Sequence, residues 1–104
     1  MINVEIKPGK NDNDNIICGD LTFSTASNLL SRGNVLIAKN PSIHFDLSQV
    51  THSSSIGLAV LIAWCRTARQ LGKSISFSNL PPNLLSAAKV SNLDSVLPLK
   101  NENN

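Results

Sequence analysis

Aromatic side chains are scarce in this 104-residue chain: three Phe, one Trp and no Tyr. A stacking platform for bases or sugars needs several aromatic faces, and this inventory does not supply them. Charge is also sparse. Only 15% of residues are charged and the formal net charge is +2, well short of the basic footprint of a dedicated nucleic-acid binder. Cys18 and Cys65 are too few and too far apart for a disulfide scaffold. Each sits in an apolar stretch and reads as a reduced core thiol. No apolar run reaches the ~20 residues of a membrane span. The longest, Ile56 to Cys65, is about half that, so no direct membrane insertion is expected. The first apolar stretch contains Glu5 and Lys7 and is followed by no cleavage-site pattern, which predicts that no signal peptide is present.

Catalytic inventory is thin as well. The chain has two histidines, His44 and His52. His52 lies near Ser53, Ser54 and Ser55, but a nucleophile and base need an orienting group and an oxyanion hole besides. His44, Cys18 and Cys65 lack metal-ligand spacing, so no metal is expected. Asp12 and Asp14 resemble the start of a calcium loop, yet Phe23 stands where its last carboxylate belongs. Gly33, Gly57 and Gly72 are isolated and form no phosphate-cradling loop. The expectation is a protein without catalysis and without a cofactor. Arg66, Arg69 and Lys73 read as the solvated, cationic end of a helix.

One hundred and four residues suffice for one domain and one core. Ile2, Val4 and Ile6 alternate with polar residues, the period of a half-buried strand. A polar turn after Pro8-Gly9 leads to a second strand over Asn15 to Phe23, interrupted at Gly19-Asp20. Ser24 to Ser27 offer N-caps for a short helix that Gly33-Asn34 is expected to end, with Val35 to Ala38 extending it or leading out. Ile43 to Leu47 is a strand, and Asp46 to Val50 is expected to run buried into the serine turn. A helix from Ser55 to Gly72, a strand from Lys73 to Phe77 and a helix opening at Pro81-Pro82 follow. The last helix has Leu84, Leu85, Ala88 and Val90 as its apolar set, and Val96 to Leu99 forms a short final element. Residues 100–104 form a polar tail, expected to fray. Strands that alternate with helices after an opening hairpin define an α/β fold with parallel crossovers.

The helix after Ser55 has no polar face between Ile56 and Cys65. Leu58, Leu61, Ile62 and Cys65 form one stripe; Ile56, Val60 and Trp64 fall on another. Two coverings of the second stripe are open: the helix from Pro82, or a partner protein. The partner reading is preferred here, with Trp64 as its hot spot.

Taken together, Phe45-Asp46-Leu47-Ser48-Gln49-Val50-Thr51, then Ser54-Ser55-Ile56-Gly57-Leu58, then a helix ending at Gly72, resemble the STAS domain of sulfate transporters and anti-sigma-factor antagonists. Ala88 to Leu93 and Val96-Leu97-Pro98 extend the resemblance over residues 2–99. It implies a single STAS-like domain over residues 1–104, a small mixed β-sheet with helices packed against it. Within the family the chain is most similar to the stand-alone subunit of a phospholipid transport system that maintains outer-membrane lipid asymmetry. That likeness implies a non-catalytic accessory subunit that stabilises or activates the ATPase subunit of an ABC transporter. Through that partner it would meet the permease complex, at the cytoplasmic face of the inner membrane. The alternative the family offers is an anti-sigma-factor antagonist switched by serine phosphorylation. Ser55 matches the family's key hydroxyl position and is the candidate phosphorylation site. Ser54 replaces the usual Asp before it, and Ile56 replaces a small residue after it; both departures favour constitutive binding over switching. The implied partner-binding set is Ser54, Ser55, Ile56, Val60 and Trp64.

Overall fold

The structure, a computed structural model, describes residues 4–11 and 13–100. Its elements are β1 (Val4–Pro8), β2 (Asp14–Leu21), α1 (Phe23–Lys39), β3 (Ser42–Ser53), α2 (Ile56–Gln70), β4 (Ser74–Ser78) and α3 (Pro82–Val90). The sheet order is β1-β2-β3-β4. β1 and β2 form the expected antiparallel hairpin, and β2, β3 and β4 run parallel. Each parallel step moves one strand in the same direction. Right-handed crossovers then place α1 and α2 on the same face of the sheet.

Side-chain alternation along β3 separates the two faces. Ile43, Phe45 and Leu47 are buried in the core, and Phe45 stacks on Trp64 of α2 at 4.4 Å between ring centroids. His44 and Asp46 point the other way. The His44 ring nitrogens lie 2.7 Å from Ser76 Oγ and 2.8 Å from Ser78 Oγ, so this buried histidine is held by β4. The Asp-Leu-Ser motif also has a mechanical basis. Asp46 Oδ1 accepts from the Ser48 N–H at 2.9 Å and from Asn79 Nδ2 at 3.0 Å, tying a bend in β3 to the end of β4. β3 carries an extra residue twice, between Asp46 and Gln49 and between Val50 and His52. The expectation of a buried run from Asp46 to Val50 is therefore corrected: Leu47 is buried, while Ser48 and Gln49 at the first bulge are exposed.

Gly33 does not end α1, which continues to Lys39. A methyl carbon at Gly33 would overlap the Trp64 indole. The glycine is there for close approach, not for a stop. The helix ends instead at Asn40, whose Nδ2 donates to Leu36 O at 2.8 Å, just before Pro41. Trp64 is fully buried, between Gly33 and Phe45, with Nε1 directed at Leu30 O at 3.4 Å. Val60 is also buried. The sequence-based preference for a partner-facing Trp64 and Val60 is thus corrected. The continuation of α1 past Gly33 brings its backbone over the indole. Phe23 opens α1 instead of closing β2, and Val90 is exposed at the end of α3. Cys18 and Cys65 are free and half-buried.

Both margins of the sheet are finished differently. The Phe77 N–H donates to Pro98 O at 2.9 Å and the Lys100 N–H to Phe77 O at 2.7 Å, so the segment after α3 lies along β4. At the other margin Gly9 donates to Asp14 O of β2 at 2.8 Å. By alternation Pro8 faces outward, with no N–H to offer. Of the tail expected over residues 100–104, 101–104 lie outside the described residues.

Two outcomes follow from this packing. Gly33→Ala gains about 1 kcal/mol of helix propensity but must displace a buried indole, so a net loss of about 1–3 kcal/mol is expected in urea unfolding; a stabilised variant would contradict the close-approach role. The second concerns pH. Burial works to raise the Asp46 pKa, but the bonds from Asn79 and Ser48, with His44 nearby, outweigh it and the pKa is lowered. A carboxyl lowered in the folded state stabilises above its unfolded pKa and loses that contribution as pH falls through the folded value. Asp46→Asn is expected to flatten the acid limb of a stability–pH curve; an unchanged limb would remove Asp46 as its source.

Candidate partner-binding site

Three parallel strands end at one side of the molecule, and α1, α2 and α3 all begin there. The joints between them are hydrogen-bonded. The Ser54 N–H donates to Leu21 O at 3.1 Å, fixing the start of α2 against the end of β2. Ser53 Oγ donates to Asn83 Oδ1 at 2.8 Å, and Asn83 Nδ2 returns a bond to Ser53 O at 2.8 Å. That reciprocal pair holds α3 beside α2. Gly57 makes the fit close. A Cβ there would stand 2.8 Å from Leu21 Cγ and 3.3 Å from Leu84 Cδ1.

On this platform Ser54 and Ser55 are exposed and Ile56 is half-buried. These three of the expected set come together at the surface; Val60 and Trp64 lie beneath, in the core. Ser55 is the N-cap of α2, yet its backbone is helical (φ −59°, ψ −21°) and its hydroxyl makes no capping bond. The Ser54 and Ser55 carbonyls accept instead from Gly57 and Leu58 at 2.9 and 3.1 Å. The hydroxyl therefore faces outward and is not needed by the helix.

The sequence reading missed one exposed residue on this side. Phe23, the first residue of α1, is 83% exposed. Reading the period-two run one step too far placed it in a strand. The useful signal is Thr25, whose Oγ accepts from the Thr22 N–H at 3.0 Å and donates to Asp20 O at 2.8 Å. That helix-start signature puts Phe23 at the first helical position.

His52 Nδ1 pairs with Asp20 Oδ1 at 3.1 Å. Among the described residues no cluster of His, Cys, Asp or Glu could hold a metal ion. Burial raises the Cys65 thiol pKa, against the opposing effect of Arg69, which favours the unreactive protonated form. No acidic residue occupies the first turn of α1, α2 or α3.

A family model described as the MlaB STAS domain matches residues 16–99. Solved structures share the fold. An anti-sigma-factor antagonist from Mycobacterium paratuberculosis is 24% identical, with 92% of this chain and 84% of that chain covered and a TM-score of 0.72. A putative anti-sigma-factor antagonist from Thermotoga maritima is 17% identical, over 92% and 84%, with a TM-score of 0.73. The unphosphorylated anti-sigma-factor antagonist SpoIIAA is 12% identical, over 94% and 86%, with a TM-score of 0.71. No curated protein sequence matches.

Because the Ser55 hydroxyl makes no cap bond, Ser55→Ala is expected to change stability by less than about 0.5 kcal/mol. A loss of ~1 kcal/mol in chemical denaturation, the usual cost of a lost cap, would show that the hydroxyl serves the helix after all.

Proposed function

This chain belongs to the MlaB-type STAS-domain family, and on that premise we propose that it is a non-catalytic accessory subunit of a phospholipid ABC transporter maintaining outer-membrane lipid asymmetry. It binds the ATPase subunit and stabilises or activates it, and reaches the permease complex through that subunit. One observation carries the proposal: Ser54, Ser55 and Ile56 form an outward-facing start to α2, with a hydroxyl unused by the fold. Ser55 matches the family's key hydroxyl position, and its exposure supports a partner surface at this start of α2. The absence of a phosphate-cradling glycine loop in the sequence leaves nucleotide chemistry to the partner. No described helix is long and apolar enough to cross a membrane; placement at the cytoplasmic face of the inner membrane would come from the partner.

The second reading is an anti-sigma-factor antagonist. The exposed, uncapped Ser55 hydroxyl supports it, since a kinase could reach that atom. Ser54 in place of Asp and the bulk of Ile56 next to the hydroxyl weigh against phosphorylation as the control. The two readings separate by partner: an ATPase with its permease, or a serine kinase with a sigma factor.

Ser55→Asp tests the surface. A carboxylate near a helix N-terminus is favourable in the free domain, so the variant should melt at or above the wild-type temperature. In a closed interface the same charge is buried without a partner, at a cost of several kcal/mol. Binding to the purified ATPase subunit is expected to fall by at least about 100-fold, and transport complementation to fail. Wild-type affinity in the variant would place the start of α2 outside the interface.

A further inference from the structure

We infer that the cavity between the end of α2 and the segment after α3 binds a small phosphate ester, with Arg69 and Lys73 holding the phosphate and an apolar wall receiving the carbon group attached to it. The cavity lies at the opposite end of α2 from Ser54 and Ser55, so the inference goes beyond the partner-binding reading and does not rest on it.

The way α2 ends leaves its last cations free. Gly72 takes a left-handed backbone (φ +68°). The N–H groups of Leu71, Lys73 and Gly72 donate to the carbonyls of Thr67, Ala68 and Arg69 at 3.1, 2.8 and 3.2 Å. The main chain thus satisfies the carbonyls that a lysine or arginine could otherwise cap. The facing wall is fixed by main chain as well. The Phe77 N–H donates to Pro98 O at 2.9 Å, the Lys100 N–H donates to Phe77 O at 2.7 Å, and Leu97 is buried. Between the two lies a cavity of about 240 Å³ whose lining includes Arg69, Lys73, Cys65, Ile75, Val96 and Pro98.

Charge selects the ligand. The chain has no Asp or Glu between Leu47 and Leu93, so α2, β4 and α3 supply no counter-charge. Asp94 stands two residues before Val96, half-buried, and among the described residues it pairs with neither Arg69 nor Lys73. Asp46 is tied to Ser48 and Asn79 on the other face of the sheet. Glu5, Asp14 and Asp20 lie on β1 and β2, beyond β3. Burial keeps the Cys65 thiol protonated, so it brings no negative charge. Two cations therefore face one cavity with no carboxylate bound to either. A guanidinium offers a planar fork and an ammonium a point charge, and a phosphate has oxygens for both. The remaining lining narrows the choice of anion. Ile75 is half-buried and Val96 is 55% exposed, an apolar surface for the attached carbons. The volume is below the ~300 Å³ at which drug-sized pockets begin. A phosphate with a few carbons fits, and a nucleotide does not; no aromatic ring is among the described residues that line the cavity to stack a base. Glycerol phosphate has this chemistry, free or as the headgroup of a phospholipid.

Calorimetry of the purified chain with glycerol 3-phosphate at physiological salt tests the site. The ester should bind about 4-fold more tightly than inorganic phosphate, the worth of roughly one buried CH₂. Arg69→Gln and Lys73→Gln should melt as wild type and each bind at least about 10-fold more weakly. Arg66→Gln is the control: Arg66 is on the same helix but does not line the cavity, and its affinity should not change. Flotation with phosphatidylglycerol vesicles identifies the source. Flotation lost in Arg69→Gln and kept in Arg66→Gln upholds the site with a lipid headgroup as ligand. Binding of glycerol 3-phosphate without flotation upholds it with a free ester. Binding of neither probe overturns the inference. An equal loss in Arg66→Gln overturns it too, since that marks diffuse attraction to a basic helix end, as does inorganic phosphate binding as tightly as the ester. No step involves the ATPase, so failure here leaves the accessory-subunit reading in place.

Discussion

Everything in this fold is arranged around the contact between the Gly33 backbone and the Trp64 indole. The indole lies between the α1 backbone and the Phe45 ring, and Phe45 in turn stacks near Phe77 of β4 at 6.0 Å between ring centroids. One aromatic column therefore registers α1, α2, β3 and β4 against each other. Dispersion between such closely packed rings is strong only at contact distance. A side chain at position 33 would lift α1 off the column. The starts of α1 and α2 would then lose their relation to the strand ends, and with it the surface that carries Ser54, Ser55 and Phe23.

The same contact explains what the sequence made legible and what it hid. Element order and strand direction were readable because period-two runs and helix framing by serine, glycine and proline are local signals. Gly33 carries an ambiguous one. Glycine marks a helix end when it must adopt a left-handed backbone, and marks a close approach when a neighbour lies over it; sequence does not distinguish these. The sequence reading weighs only the helix from Pro82 as a cover for the second stripe of α2, and so turns Trp64 and Val60 toward a partner; in the structure α1 lies over Trp64. Ser54, Ser55 and Ile56 do reach the surface, because a serine run before an apolar helix fixes the chain locally. Phe23 was hidden for a different reason: β2 and α1 meet without a spacer, and an aromatic after a strand looks like more strand.

The two ends of the molecule differ for topological reasons. Parallel strands joined by right-handed crossovers gather all the helix starts at one end and the helix stops at the other. Lys39, Arg69 and Lys89 lie in the last turns of α1, α2 and α3, where cations suit the helix dipole. The end with the helix starts has no Lys or Arg in the joints at residues 20–25, 53–57 and 79–84, and one carboxylate, Asp20, which pairs with His52. Its exposed atoms belong to short joints pinned by Thr25, Asn83 and the Leu21 carbonyl. The face of the sheet away from the helices is polar instead, with His44, Ser76 and Ser78 hydrogen-bonded across β3 and β4.

The finished margins of the sheet bear on how such a protein behaves when crowded. An open strand edge is a template for another chain, and repeated edge pairing leads to fibres. Along β4 that template is already occupied by Pro98 and Lys100. Along β1 it is short and interrupted by Pro8, with Glu5 and Lys7 on the strand. Backbone pairing with another chain is thereby blocked at Phe77 and disfavoured at Pro8. Recognition is left to side chains at the helix starts, which can be selective in a way that backbone amides cannot.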